Sequence, residues 1–267
     1  MMEKTPRIVI GTSGYSYDDW REVFYPKELP RGKLLDYYAE EFDGVEINFT
    51  YYSFPSQATI ARIAEKTPKN FVFSLKANQI FTHSRENDAF EAIPRFLYGI
   101  APLVESEKLK SLLFQFPYSF HYTRENRFYL DRLLSEFIEK TKEKIPLAVE
   151  FRNTEWFLET VVSKFKEMNT TLVNVDLPRL NRLPLPGDAV TSEIAYIRFH
   201  GRNRKNWWKG DNVSRYDYLY SKDELEEWLP LIERVISQVK ILLIFFNNHH
   251  KGKAVLNARM MREVIGV

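Results

Sequence analysis

Eight short apolar runs rich in β-branched residues recur along this chain, and longer segments separate them. Each run ends in polar or turn-forming residues, which is typical of a buried strand. Strands that alternate with helices predict right-handed parallel crossovers, and eight such units close most naturally into a single (β/α)8 TIM-type barrel. An open, doubly wound sheet is the alternative. The runs are residues 7–14, 44–50, 71–78, 109–117, 146–152, 171–176, 194–201 and 240–248.

Most connecting segments carry helix signals. Residues 130–138 place five apolar side chains at spacings of i, i+3, i+4, i+7 and i+8, which predicts one buried helical face. Ser221 followed by Glu224 predicts a capping box at a helix start. Residues 177–193 contain three prolines and no helical period. The sixth crossover is therefore predicted to be a surface loop that contributes to the rim of the site.

Composition supports one globular domain over residues 1–267, with 44% hydrophobic and 28% charged residues. The absence of cysteine excludes disulfides and thiol nucleophiles, and the net charge of +2 is too small to indicate a nucleic-acid binder by itself. No signal peptide or membrane span is apparent, so we expect a cytoplasmic protein that does not bind membranes. Abundant Lys and Glu without Cys favour thermostability. The oligomeric state is left open between a monomer and a weak dimer.

Polar residues stand at the ends of the predicted strands, where TIM barrels carry their active sites. Because side chains alternate between the two faces of a strand, these polar residues share one face and apolar residues take the other. The polar faces are therefore predicted to point into the barrel mouth. This polar ring pairs Glu46 with Asn48, Ser74 with Lys76, Glu150 with Arg152, Asn174 with Asp176 and Arg198 with His200, and it is completed by Gln115 and Asn247 or Asn248.

The polar ring has two alternative interpretations: a purely structural role and a metal-binding site. Buried charges are costly unless paired, so an internal salt-bridge lattice is the structural interpretation. Alternatively, Glu150, Asp176 and His200 hold a divalent metal, because their strand order resembles the ligand set of xylose-isomerase-like barrels, which include endonuclease-IV-type phosphodiesterases. Asn247 and Asn248 stand where those isomerases use a carboxylate, and the two arginines of the ring would repel a dication. We therefore treat a metal as the minor alternative.

The interpretation we favour is an anion site with acid/base groups. Arginine donates two parallel hydrogen bonds to phosphate, and lysine and histidine add charge. The ligand-binding candidates in the ring are Lys76, Asn48, Gln115, Arg152, Arg198 and Asn247. Glu46 and Glu150 are the leading acid/base candidates, and Asp176 and His200 complete the catalytic set. No cofactor is expected.

The segment after the seventh run, residues 201–210 (GRNRKNWWKG), is a second candidate surface. Cations that follow phosphates, interleaved with aromatic rings that stack on bases or sugars, are typical of nucleic-acid or glycan recognition. A tryptophan-anchored surface loop is the structural interpretation. Its candidate residues are Arg202, Arg204, Trp207 and Trp208, with Lys205 and Lys209 beside them, and other loops add Tyr15, Tyr17, Trp20, Tyr51, Tyr52, His83 and Trp156.

Several motifs resemble the YecE-like family, also called domain of unknown function 72. They include residues 11–20 (GTSGYSYDDW), 24–26 (FYP), 45–48 (VEIN), 113–117 (LFQFP) and 198–201 (RFHG). The resemblance runs through nearly the whole chain and implies a TIM-type barrel. It implies no activity, because fold alone does not determine function.

These observations predict an enzyme, a hydrolase or an isomerase or lyase of the TIM-barrel type. Its expected ligand is anionic and phosphate-bearing, a small molecule or nucleic acid, and phosphodiester chemistry like that of endonuclease IV is one form of this. A non-catalytic nucleic-acid or glycan binding module that uses residues 201–210 is the second hypothesis. A metal-dependent enzyme resembling the sugar isomerases is the third.

Overall fold

The computed structural model describes residues 5–85, 87–211 and 213–267. Its strands are β1 Arg7–Thr12, β2 Gly44–Ile47, β3 Val72–Lys76, β4 Leu109–Gln115, β5 Leu147–Glu150, β6 Thr171–Leu172, β7 Asn174–Asp176, β8 Ile194–Phe199 and β9 Ile241–Phe246. Its α-helices are α1 Leu34–Glu41, α2 Phe49–Tyr52, α3 Gln57–Glu65, α4 Ile93–Glu105, α5 Arg124–Thr141, α6 Glu159–Glu167, α7 Lys222–Glu226, α8 Leu229–Ile236 and α9 Lys253–Ile265.

The strands pair in parallel and follow a cyclic order of neighbours. One sheet has the strand order β1-β9-β8-β7 and the other has the order β2-β3-β4-β5-β6. Residues 171–176 contribute to both sheets, because β6 pairs with β5 and β7 pairs with β8. At the other junction the backbone N–H of Gly14 donates to the carbonyl of Glu46 at 2.7 Å. This arrangement agrees with the predicted TIM-type α/β fold.

Two glycines allow β1 and β2 to approach at this junction. A Cβ on Gly11 would lie 2.2 Å from the carbonyl oxygen of Gly44. A Cβ on Gly44 would lie 2.5 Å from a methyl carbon of Val9. Real side chains do not occupy such distances, so the close approach of these two strands depends on glycine at both positions.

The strands separate two apolar clusters. The larger one lies between the outer faces of the strands and the helices, and it includes Phe114 on β4 and Phe137 on α5, whose ring centroids are 4.9 Å apart. The smaller cluster lies inside the ring of strands and includes Val9, Leu113 and Leu243. Apolar side chains therefore fill the lower interior, and the polar residues of β2, β3, β5 and β8 stand above them at the strand ends.

The connecting segments largely follow the predictions. The predicted face in residues 130–138 is buried in α5, the capping box of Ser221 and Glu224 forms at the start of α7, and residues 177–193 contain no helix. The strand predicted over residues 44–50 ends at Ile47 instead, and α2 follows at once. The hydroxyl of Thr50 donates to the carbonyl of Lys76 at 2.6 Å, which fixes this helical turn against the end of β3.

In the described ranges, no helix is both long enough and apolar enough to cross a membrane.

Candidate functional site

Arg198 on β8 is held by two glutamates from across the interior. Its Nη2 and Nε donate to the two carboxylate oxygens of Glu46 at 2.6 and 2.7 Å, and its Nη1 donates to Glu150. All three side chains are almost fully buried. Bidentate pairing satisfies the planar guanidinium and offsets the cost of removing three charges from water.

Tyr196 completes the pairing of Glu46 and was not among the predicted site residues. Its hydroxyl donates to Glu46 and lies 3.0 Å from the hydroxyl of Ser74. Burial, together with the charge of Glu46, raises the pKa of Tyr196 well above its usual value, so the hydroxyl stays protonated. Its position two residues before Arg198 on the same strand face is the signal that reveals it from sequence.

Arg152, just beyond the end of β5, links Glu150 to His200. Its Nε donates to Glu150 at 2.5 Å, and its Nη2 lies 3.3 Å from Nδ1 of His200. Asn247 Nδ2 donates to the same Nδ1 at 3.1 Å, and Nε2 of His200 lies 3.3 Å from Glu150. These contacts place the proton of the neutral imidazole on Nε2. Burial, with Arg152 nearby, lowers the pKa of His200 to about 3, so it is neutral at physiological pH.

The two glutamates therefore stand below a layer of arginine side chains. Burial alone would raise the pKa of Glu150, but Arg152, Arg198 and His200 hold that pKa well below its usual value. Its carboxylate is ionised and hydrogen-bonded to both arginines, as Glu46 is bonded to Arg198 and Tyr196. Neither glutamate lines the cavity described next.

A cavity of about 660 Å³ opens above this layer. Its charged lining residues are Lys76, Arg152, Arg198 and Arg215, and its described lining contains no Asp or Glu. Two buried polar atoms among the lining residues have no hydrogen-bond partner in the described part of the chain, namely Oδ1 of Asn48 and Nε of Arg215. Buried polar groups are normally satisfied, so this cavity has the character of a ligand site.

Lys76 lies in the wall of the cavity at the end of β3. Its Nζ donates to Oε1 of Gln115 at 2.9 Å and lies 4.2 Å from the ring centroid of Tyr51. Burial, and the charge of Arg198, lower the pKa of Lys76 to about 7, although the two glutamates below act in the opposite direction. This ammonium therefore loses its proton far more readily than an ordinary lysine.

His83 lies near Lys76 in a short π-helical turn, Ile80–Ser84, that follows β3. Its ring meets that of Tyr51 edge to face at 5.1 Å, and its Nδ1 lies 2.9 Å from the hydroxyl of Thr82. Burial and the neighbouring cations lower the pKa of His83 to about 4. His83 is thus a neutral imidazole on the cavity wall, at one of the helical irregularities that often mark functional sites.

The two tryptophans of residues 201–210 have different positions. Trp207 is buried, with the guanidinium carbons of Arg152 and Arg215 at 5.5 and 6.0 Å from its ring centroid. Trp208 is 51% exposed, lines the cavity and packs edge to face on Tyr118 at 4.8 Å. The first tryptophan anchors the loop, and only the second is free to stack on a ligand.

The prediction that Asn174 and Asp176 point into the mouth is wrong. Asp176 accepts hydrogen bonds from Arg202 at 2.8 Å, Tyr220 at 2.8 Å and Trp228 at 2.9 Å, all from segments that cover the outside of the barrel. Asn174 pairs through its side chain with the backbone of Ala189 in the loop of residues 177–193. On this strand the inner face is apolar, with Val173 and Val175 in the inner cluster.

Five more predicted residues lie outside the cavity lining. Trp20 and Trp156 are buried in the outer layer, where their indole N–H groups donate to the carbonyls of His249 and Phe120 at 2.7 and 2.6 Å. Tyr15 is half-buried, 6.2 Å from the ring of Tyr38. Arg204 is exposed on the rim. Arg202 also lies outside the cavity, bound to Asp176 and to the carboxylates of α7 and its C-terminal end.

The structure does not assemble the proposed metal ligands. Glu150 and His200 are in contact, but Asp176 faces the outer layer. Across residues 5–85, 87–211 and 213–267, no cluster of three or more His, Asp or Glu side chains is arranged to hold a metal ion.

The cavity does bring together twelve of the predicted ligand-binding residues. They are Tyr17, Asn48, Tyr51, Tyr52, Lys76, His83, Gln115, Arg152, Arg198, Trp207, Trp208 and Asn247. Sequence reasoning missed Arg215, Tyr216 and Tyr118, which also line it. Arg215 and Tyr216 lie in a 3-10 turn, Ser214–Tyr216, and Tyr118 lies in the segment between β4 and α5, so no strand-end rule points to them.

The chain is similar in sequence and in fold to known proteins. The family model described as "Protein of unknown function DUF72" matches residues 9–267. UPF0759 protein YunF of Bacillus subtilis (strain 168) is 30% identical over 276 residues, which cover 97% of this chain and 95% of the relative. The crystal structure of a DUF72 family protein from Thermotoga maritima MSB8 superposes with a TM-score of 0.88 at 36% identity, covering 98% of this chain and 100% of the other.

A more distant structure shares the fold. AP endonuclease, family 2 from Brucella melitensis superposes with a TM-score of 0.52 at 14% identity, covering 94% of this chain and 96% of the other. At this identity the similarity extends to the fold of the barrel and carries no information about the reaction.

Proposed function

Since the chain belongs to the DUF72 family of proteins of unknown function, we propose its function from the chemistry of its own cavity: it is an enzyme that acts on an anionic, phosphate-bearing ligand. The observation that carries this proposal is the cavity lining, where three arginines and Lys76 stand with no described Asp or Glu. An anion that enters such a cavity makes its direct contacts with cationic side chains, in a setting where water screens charges less than at the surface.

The arginines supply the geometry that a phosphate group requires. Arg152 and Arg198 are held from below by the glutamates, so their positions are fixed before a ligand arrives. Arg215 approaches from the loop above, and its buried Nε lacks a partner in the described residues. Cationic side chains that are fixed before binding hold tetrahedral oxyanions well, because little side-chain entropy is lost on binding.

The glutamates support this proposal as positioning groups rather than as the acid/base pair we expected. The oxygens of Glu46 and Glu150 accept hydrogen bonds from arginine, tyrosine and histidine. A general base must reach the proton that it abstracts, and these carboxylates lie behind the arginines. Lys76 and His83 line the cavity and are the groups placed for proton transfer.

Calorimetric titration with inorganic phosphate and pyrophosphate tests the proposal. Arg215→Gln removes one cavity cation without leaving a buried carboxylate unpaired, and we expect it to weaken binding by about tenfold, equivalent to about 1.4 kcal/mol. Arg204→Gln removes an exposed rim cation of the same type and serves as the matched control. Equal losses in the two variants, or no phosphate binding by the unaltered protein, would contradict a cavity site.

A second candidate function, binding of single-stranded nucleic acid or glycan at the rim, is favoured by exposed Trp208 against Tyr118. Base stacking on such a platform contributes about 1–3 kcal/mol per base. Trp208→Ala should then reduce the affinity for a fluorescent oligonucleotide about tenfold or more and leave inorganic phosphate binding intact. If this variant binds oligonucleotides and oligosaccharides as well as the unaltered protein does, the rim is not the binding surface.

A further inference from the structure

Lys76 differs from the other cations of the cavity in its partners. Arg152 and Arg198 each bind a carboxylate, whereas Nζ of Lys76 bonds to the amide oxygen of Gln115 and lies over the ring of Tyr51. No carboxylate of the described residues forms an ion pair with it. The ammonium group is therefore surrounded by an amide and an aromatic ring, with two guanidinium groups nearby.

Such an environment activates an amine. The charged groups that act on Lys76 are Arg198 and Arg152, which disfavour its protonation, and Glu46 and Glu150, which favour it; burial dominates, and the pKa falls to about 7. Near neutral pH a large fraction of the amine is therefore uncharged. Desolvation and adjacent cations are the means by which enzymes turn lysine into a nucleophile.

We infer that Lys76 is a catalytic nucleophile that forms an imine with the carbonyl group of a phosphate-bearing aldehyde or ketone, an inference that rests on the proposed phosphate-binding function. The arginines hold the phosphate, and the carbonyl carbon lies at the wall occupied by Lys76. A cavity of about 660 Å³ accommodates both groups of a small phosphate ester. Because the arginines balance the phosphate charge, the bound ligand does not restore the ordinary basicity of the lysine.

The covalent step balances without any redox partner. The lone pair of the uncharged Nζ attacks the carbonyl carbon, a C–N bond forms, and the carbonyl π electrons move to oxygen, which takes up a proton to give a carbinolamine. The carbinolamine then loses its C–O bond, and the oxygen leaves as water with the two hydrogens that the amine carried. The product is the imine of Lys76. Gln115 accepts one N–H bond, which orients the nitrogen lone pair away from its amide.

Reductive trapping with pyridoxal 5′-phosphate, a phosphate-bearing aldehyde, tests this inference on the full chain. The protein is incubated with the probe, reduced with borohydride and digested, and the labelled lysines are identified by peptide mass spectrometry. We expect Lys76 to carry most of the label, saturating inorganic phosphate to reduce that label at least tenfold, and pyridoxal, which lacks the phosphate, to label it far less. Mapping on the unaltered protein requires no variant to fold.

Two variants sharpen the result. Lys76→Arg keeps a positive charge but cannot form an imine, so it should lose the phosphate-sensitive label. Lys108→Arg is the matched control, because Lys108 is a buried lysine whose pKa is likewise lowered by burial, yet its Nζ donates to the carbonyls of Ala64 and Thr67 outside the cavity. Labelling of Lys76 should be unchanged in the control.

The possible outcomes distinguish failure of imine formation from failure of the proposed phosphate-binding function. If phosphate binds by calorimetry while the label falls on surface lysines and not on Lys76, the imine is overturned and the anion site stands. If Lys76 is labelled equally by pyridoxal and phosphate does not compete, the phosphate-bearing substrate class is overturned. If phosphate neither binds nor competes and Lys76 is unlabelled, both the inference and the proposed function fail.

Discussion

At the residue scale, Arg198 shows how a buried charge becomes a fixed element of a binding site. Its guanidinium spans Glu46 on β2 and Glu150 on β5, so one side chain on β8 ties together three strands that are distant in sequence. Replacing such a cluster by apolar residues is often harmless to stability, whereas removing one member leaves a buried charge without its partner. The cluster therefore fixes the position of the Arg198 guanidinium more than it stabilises the fold.

The charge balance of the cluster predicts the effect of Glu46→Gln. The substitution leaves Glu150 as the only carboxylate paired with two buried arginines, so one positive charge of the cluster is uncompensated. We therefore expect a loss of about 3–5 kcal/mol in the free energy of unfolding. Tyr196→Phe removes only one hydrogen bond to the same carboxylate and should cost about 1–3 kcal/mol. Urea unfolding monitored by tryptophan fluorescence measures both. Equal losses would show that the charge of Glu46 is not what the interior requires.

At the element scale, the polar faces of four strands were predictable and one was not. Residue alternation placed Glu46 and Arg198 on inner strand faces, because β2 and β8 are regular there and their opposite faces are apolar; Asn48 and His200 lie just beyond the strand ends. Residues 171–176 are split between two sheets; Val173 and Val175 lie in the inner cluster, whereas Leu172 lies in the outer one on the same face as Asn174 and Asp176. Alternation cannot choose a face there, because the partners of Asp176 come from distant segments that the local pattern does not contain.

The outward position of Asp176 makes a prediction of its own. Asp176→Asn weakens the contacts with Arg202, Tyr220 and Trp228, which fasten the segments from β8 to α8 onto the barrel. We expect a loss of about 1–3 kcal/mol in the free energy of unfolding and no change in phosphate affinity. Calorimetry on the folded variant checks the second part. A large loss of affinity with intact stability would return Asp176 to the catalytic set.

The loops show the limit of sequence reasoning at this scale. Residues 201–210 were identified from their composition, but their sequence does not tell which tryptophan is buried. The structure resolves this through Arg152 and Arg215, which lie beside Trp207 and leave Trp208 exposed. Contacts between a loop and a distant strand end depend on the closed fold, so composition alone could not specify them.

At the scale of the whole molecule, the buried titratable groups determine how stability depends on pH. The pKa of His200 is about 3 in the folded chain against an ordinary value of 6.5, so the unfolded chain binds the extra proton between these values. The contribution of His200 to the free energy of unfolding is complete above about pH 6.5 and is lost as the pH falls toward about 3. Glu150, whose folded pKa is also lowered, adds to the loss in acid.

The lowered pKa of Lys76 also makes the free energy of unfolding increase with pH, but over a higher pH range. Its folded pKa of about 7 lies below the ordinary 10.5, so the unfolded chain binds more protons across this window and stability rises with pH. We therefore expect the free energy of unfolding to increase from about pH 4 to about pH 9, with Lys76→Met flattening the part above about pH 7. Urea unfolding across this range measures it. A maximum at about pH 5 would contradict the assigned charge states.

We propose that the cavity above the buried glutamates is an anion site, and a crystal structure with bound tungstate can locate the anion. Tungstate resembles phosphate in shape and charge, and its anomalous signal locates it without ambiguity. We predict the strongest anomalous peak inside the cavity, within hydrogen-bond distance of Arg152 and Arg215. An empty cavity, with tungstate bound only to the exposed cations Arg204, Lys205 and Lys209 of the rim, would contradict the account.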